Sequence, residues 1–294
     1  MSSPNSDSIT VKVNSELKTY TKDAIFEMIQ EYEKTRDVNT RMQLKNVLVL
    51  LKGVADEFST HRLLDHAEYL IDDVPFQSGE FVLSKSQRFL KKFMSPYTKN
   101  KSLLLFHGVG VGKTCSSIQI SEMMHLFNPN MNKTLIIASS GLMDNFVSTL
   151  SGNCVGTKYI DIFPNYNLLN RQEKYDQLKK VLKGYYDMKT TGEVVNYITN
   201  RKDLLKKQKG GYFAFIRSEF SNRVIIIDEV HNLRVSKDSQ DKKIRECIHD
   251  IAKYADNVKL VYLSATPMYD KPEEIIWLMN SLMLNDNRLS KVLT

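Results

Sequence analysis

Apolar residues fall along this chain in two rhythms, and the change from one to the other divides it. Near the start, Ile25, Met28, Ile29 and Tyr32 recur at helical spacing, and Leu44, Val47, Leu48, Leu51 and Val54 do the same. The charge-rich stretch 33–41 separates them. Ahead of both, Ile9, Val11 and Val13 alternate with polar residues, the period of a half-buried strand. From about residue 80 the rhythm changes to short apolar runs without alternation: 103–106 (LLLF), 135–137 (LII), 224–227 (VIII) and 260–263 (LVYL). Such runs suit strands covered on both faces. Helical patterns lie between and around them, at 114–127, 142–150, 172–182, 242–254 and 272–284. Strand and helix in alternation predict an α/β fold, a parallel sheet with helices on both faces. The expected division is a small, mostly helical accessory region over 1–75 and one α/β domain over 76–294.

Composition narrows this little. The 294 residues are 42% hydrophobic and 26% charged, as in an ordinary globular protein. A formal charge of +7 makes a polyanion a plausible partner without requiring one. The three cysteines, Cys115, Cys154 and Cys247, are far apart and form no CxxC pair. They predict neither a disulfide framework nor a zinc site, and they fit a reducing compartment. With no long apolar run and no basic-then-apolar start, the expectation is a soluble, intracellular protein that does not engage a membrane. Lys202, Lys206, Lys207 and Lys209 read as a solvated helix face, and Tyr185, Tyr186 and Tyr212 as packing residues.

The strand at 103–106 runs into His107, Gly108, Val109, Gly110, Val111, Gly112, Lys113, Thr114 and Cys115, where a helix opens. Strand, glycine-rich turn and helix start are what a phosphate-binding loop needs, because glycines let successive backbone N–H groups point inward at the positive end of the helix. In that chemistry Lys113 reaches the β- and γ-phosphates and the Thr114 hydroxyl coordinates Mg²⁺. His107 stands where the strict pattern has glycine, and His107 and Cys115 are read as packing residues at the ends of the run. About 115 residues later, the apolar run 224–227 delivers Asp228 and Glu229 to the carboxyl end of a buried strand, followed by His231. Asp228 suits the Mg²⁺ shell and Glu229 the attacking water. A third run ends in Ser264, Ala265 and Thr266, small residues able to hydrogen-bond the acidic pair.

These residues resemble the superfamily 2 helicases, and Asp228 to His231 resembles the DEVH variant of the DExH group. The segments LLLFHGVGVGKT (103–114), IIIDEVHNLR (225–234) and LSATPMYDKPEEIIWLMNSL (263–282) are similar to large-DNA-virus helicases related to the poxvirus nucleoside triphosphate phosphohydrolase I and the viral early transcription factor ATPase subunit. The resemblance covers about 80–294. It implies a P-loop NTPase, RecA-like lobe that binds ATP and Mg²⁺ and hydrolyses ATP when engaged with DNA or RNA. It implies further that Gln87 reads the adenine, that Ser139 and Ser140 touch a nucleic-acid backbone, although helix capping explains these serines nearly as well, and that Ser264 to Thr266 couple the sites. A second RecA-like lobe, in cis or in trans, is expected to complete the site, and RNA polymerase or another transcription protein is an expected partner. Host cytoplasm or virion is the implied location. A duplex translocase that leaves strands paired, or an ATP-responsive binding subunit, are the alternatives.

Overall fold

A computed structural model describes residues 8–13, 16–21, 27 and 81–288, apart from 97, 109, 129, 153, 164, 234–238 and 268–272. The chain divides into two compact units, residues 1–70 and 71–294. In the first, the alternating residues form strand β1 (Ser8–Val13), which pairs antiparallel with β2 (Glu16–Thr21), Ser8 opposite Thr21. The helical patterns at 25–32 and 44–54 lie, Glu27 apart, outside the described residues.

The second unit opens with α1 (Lys85–Phe93), started by a reciprocal cap in which Ser84 Oγ accepts from Gln87 N–H and Gln87 Oε1 accepts from Ser84 N–H. Then follow β3 (Ser102–Phe106), α2 (Lys113–Phe127), β4 (Thr134–Ile137), α3 (Ser140–Leu150) and α4 (Arg171–Leu182). After these come β5 (Tyr186–Lys189), α5 (Thr191–Leu205), α6 (Gly211–Phe220), β6 (Arg223–Ile227), α7 (Ser239–Tyr254), β7 (Val258–Ser264) and α8 (Glu273–Asn285). The five strands form one parallel sheet in the order β3-β7-β6-β4-β5.

The apolar runs lack polar alternation because both faces of the sheet are covered. Ile136, Val224, Ile226, Val261 and Leu263 pack on one side with α2, α3 and α4, through Ile118, Phe146, Val147 and Leu178 among others. Leu135, Ile137, Ile225, Ile227, Leu260 and Tyr262 pack on the other with α5, α6, α7 and α8, through Val194, Ile216, Ile248 and Leu278. Each such aliphatic side chain contributes about 1.5–3 kcal/mol relative to exposure. The parallel α/β fold with helices on both faces is the one the sequence predicts.

Three features depart from the sequence reading. β5, α5 and α6 were not anticipated. β5 is a four-residue edge strand carrying Asp187 and Lys189, and Arg223, nearly buried at the start of β6, reaches Asp187 at 2.8 Å. Second, Cys115 and Cys154 are joined by a disulfide, their Cα atoms 5.7 Å apart, against the expectation of unpaired thiols. Cys154 lies just beyond α3, and a separation of 39 residues hides the pairing from spacing. Third, α2 is buried around most of its girth and carries Glu122 inward. Burial alone would raise the Glu122 carboxyl. Lys158, with hydrogen bonds from Lys158, Tyr159 and Tyr186, outweighs it and holds the carboxyl below the usual range.

Four of the residues discounted in the sequence have partners within the domain. Tyr186 is buried against Glu122, Tyr212 donates to Asp250, and Lys202 and Lys206 pair with Asp250 and Asp203.

Candidate nucleotide-binding site

Parallel strands deliver whatever follows them to one edge of the sheet, and there the carboxyl ends of β3, β7 and β6 stand side by side. β3 feeds the glycine loop, β7 ends at Ser264, and β6 ends just before Asp228 and Glu229. His107 N–H donates to Ser264 O at 3.3 Å, extending the ladder by one residue into the loop.

Within the loop, Gly110 and Gly112 both have φ +82°, a left-handed conformation costly to other residues. Gly112 caps α2 without a side chain and is closely approached by Gln87, whose Nε2 would stand 2.5 Å from an added Cβ. Gln87 is buried, its Oε1 holds the cap of α1, and its Nε2 donates to Gly112 O at 3.4 Å. The structure thus brings the expected adenine reader to the loop, where it ties α1 to the start of α2. Lys113 Nζ turns back on the loop and donates to His107 O at 2.9 Å and Gly108 O at 3.2 Å. Val109 lies outside the described residues, and Val111 is exposed. Cys115 packs as expected, its side chain buried in the core and bonded to Cys154, so only its backbone faces the loop.

At the acidic pair, Asp228 N–H donates to Ile137 O at 2.9 Å, so the residue extends the β6 ladder, and its Oδ1 accepts from Glu229 N–H. Glu229 takes φ +48°, uncommon for a residue with a side chain and of the kind found at functional sites. Burial pushes the Asp228 carboxyl up to about 6; neighbouring Glu229 adds to the shift, and the Glu229 N–H and Lys113 oppose it incompletely. His231, in the short 3-10 turn Val230–Asn232, places Nδ1 2.9 Å from Ser264 Oγ and 3.2 Å from Glu229 Oε2. One ring nitrogen cannot aim at both. The hydrogen bond goes to Ser264, and Glu229 Oε2 is left buried with no hydrogen-bond partner among the described residues. Ser264 Oγ also accepts from Thr266 N–H at 3.0 Å, while Ala265 only spans between them. The acidic turn and the Ser-Ala-Thr turn are therefore joined through His231.

Ser139 and Ser140 open α3 at the same edge of the sheet, both exposed. Ser139 occupies the cap position without a side-chain capping bond, so capping does not account for it. Among the described residues no three His, Cys, Asp or Glu side chains gather where they could hold a metal. Two neighbouring carboxylates, one raised by burial and one with an orphaned oxygen, beside a hydroxyl at the helix start, nonetheless suit a Mg²⁺ ion that arrives with phosphate and keeps most of its oxygens from phosphate and water. No helix among the described residues is long and apolar enough to cross a membrane.

Comparison with known proteins agrees with this geometry. Residues 80–288 match the SNF2-related domain. The chain belongs to the SNF2-related domain family. Several of its relatives are viral. A protein of Acanthamoeba polyphaga mimivirus named as an ATP-dependent RNA helicase is 32% identical over 199 residues, 68% of this chain and 32% of the relative. A protein of Invertebrate iridescent virus 3 named as a helicase is 29% identical over 237 residues, 77% of this chain and 22% of its own length. The nucleoside triphosphatase I of Choristoneura fumiferana entomopoxvirus is 23% identical over 229 residues, 76% of this chain and 30% of its own. This SNF2-related chain therefore spans a third or less of the length of these relatives.

Proposed function

We propose that this chain is the nucleotide-binding lobe of a nucleic-acid-dependent ATPase, a helicase or translocase of the DEVH type. The observation that carries the reading is the meeting of three strand ends, with the glycine loop, Ser264 and Asp228-Glu229 on adjacent strands and His231 bridging the last two. Loop N–H groups and the α2 N-terminus cradle the phosphates, and Lys113 leaves the carbonyls of His107 and Gly108 to pair with the β- and γ-phosphates. Thr114 and Asp228 would hold magnesium, which supplies charge neutralisation on the phosphate oxygens. Glu229, whose Oε2 lies beside His231 without a hydrogen bond, orients the attacking water and takes its proton. His231 relays changes at Glu229 to Ser264 and so to the turn through Thr266. Ser139 and Ser140 supply contacts to a nucleic-acid backbone, and Gln87 the contact to the base.

Arginines from a second lobe would complete the site, a contribution worth on the order of 10³ to 10⁵ in rate. The motif resemblance to viral transcription ATPases extends the proposal to a role alongside RNA polymerase.

Measuring ATP turnover with single-stranded DNA, duplex DNA, RNA and no polymer tests this. Turnover is expected to rise with one polymer class and to fall at least roughly 100-fold in Glu229→Gln, in line with loss of a general base. Stimulation by duplex without strand separation selects the translocase reading. Tight ATP binding with no stimulated turnover selects the binding-subunit reading and overturns the motor.

A further inference from the structure

The helix that opens at Ser139-Ser140 returns to the nucleotide site one and a half turns later. Asn145 of α3 is exposed, and its Nδ2 donates to Thr114 Oγ1 at 3.4 Å across 31 residues of sequence. Its helix is well anchored. Phe146, Val147 and Leu150 are buried on the opposite side, Asp144 accepts from Tyr175 of α4, and the disulfide holds the chain beyond α3 against α2.

The contact matters because of what hydroxyls do at the start of a helix. Left to themselves they bond back to a backbone carbonyl a turn away. The neighbouring residues of α2 do this: Ser116 Oγ donates to Gly112 O at 3.1 Å, and Ser117 Oγ donates to Thr114 O at 2.9 Å. Thr114 does not, and among the described residues the hydrogen bond of its hydroxyl is the one from Asn145. A threonine oxygen has two lone pairs and one hydrogen. The amide of Asn145 takes one lone pair, which leaves one to face a metal and the hydrogen to donate to a carboxylate or phosphate oxygen.

From this we infer that Asn145 is a positioning residue for the metal: its side-chain amide holds the Thr114 hydroxyl in the rotamer that coordinates the nucleotide-bound divalent cation. The inference rests on the nucleotide-site reading given above. It assigns a task to a residue on α3 that stands outside the loop and the acidic pair. It also gives the nucleic-acid face and the metal site one rigid element in common, since Ser139, Ser140 and Asn145 ride on or adjoin the same helix.

The test is binding of a fluorescent ADP analogue to the whole chain, once in EDTA and once across a magnesium titration, for wild type, Asn145→Ala and Asn145→Leu. Leucine keeps the volume and removes the donor. Wild type is expected to bind more tightly with magnesium. Both variants should match wild type in EDTA within about twofold and lose roughly three- to tenfold of the magnesium-dependent gain, the worth of one hydrogen bond. Thermal melting of all three should coincide, because Asn145 lies at the surface. Full magnesium gain in Asn145→Leu would overturn the inference and leave the nucleotide site standing. Equal losses with and without magnesium would also overturn it, as the mark of a merely structural residue. Wild type that binds no nucleotide under either condition would overturn both readings.

Discussion

Gly112 is where three demands meet on one residue: a left-handed backbone, the start of α2, and the close approach of Gln87. Alanine there costs about 1–2 kcal/mol for the backbone and forces the Gln87 amide away from the loop. Gly110 has the same φ of +82° but open space around it. Gly112→Ala and Gly110→Ala should therefore lose similar backbone energy in thermal melts, while Gly112→Ala alone loosens α1, seen as faster amide exchange over 85–93. The glycine pattern was readable in the sequence because each glycine is a local requirement of the turn. The Gln87–Gly112 and Asn145–Thr114 contacts were not, because 25 and 31 residues separate the partners and only the packing of α1 and α3 on α2 brings them together.

At the scale of elements, unbroken apolar runs made β4, β6 and β7 legible, buried on both faces, and β3 as well, whose leucines pack under helices although it lies at an edge. β5 was illegible because an edge strand needs cover on fewer sides and tolerates Asp187 and Lys189. α5 was hidden by polar residues on its outer face, although Thr190 and Glu193 form a capping box at its start. β7 carries the least expected residue of the core. Lys259 is buried with its ammonium donating to the carbonyls of Ser95, Thr98 and Asn100, which fastens the turn after α1 to the middle sheet. Burial, then the charge of Lys101, lowers its pKa to about 8, with Asp286 opposing. The unfolded chain thus holds more protons at this site between about pH 8 and the ordinary lysine value of about 10.4, so this group's contribution to stability rises with pH across that window. Denaturant melts of wild type and Lys259→Met should show wild type gaining on the variant by up to about 3 kcal/mol between pH 7.5 and 10.5. A constant gap would show that Lys259 keeps an ordinary pKa.

For the whole molecule, the ordering of β3, β7 and β6 decides what the sequence could only suggest. Three motifs about 115 and 36 residues apart become neighbours because each of the four parallel crossovers returns the chain to the same edge. The chain as a whole carries a net charge of +7, which makes a polyanion a plausible partner. If nucleic acid is held through its phosphates, affinity for a single-stranded oligonucleotide should fall roughly tenfold or more between about 50 and 200 mM salt, measured by anisotropy. Binding that ignores salt would point to contacts with bases instead.

Lys113 arrives at this edge already engaged, with its ammonium spent on the carbonyls of His107 and Gly108. On the proposed reading, an incoming triphosphate would enter by exchange, trading its own oxygens for two of the backbone's. Until that exchange the loop keeps its shape on internal bonds, the lysine standing in for the contacts a ligand would make.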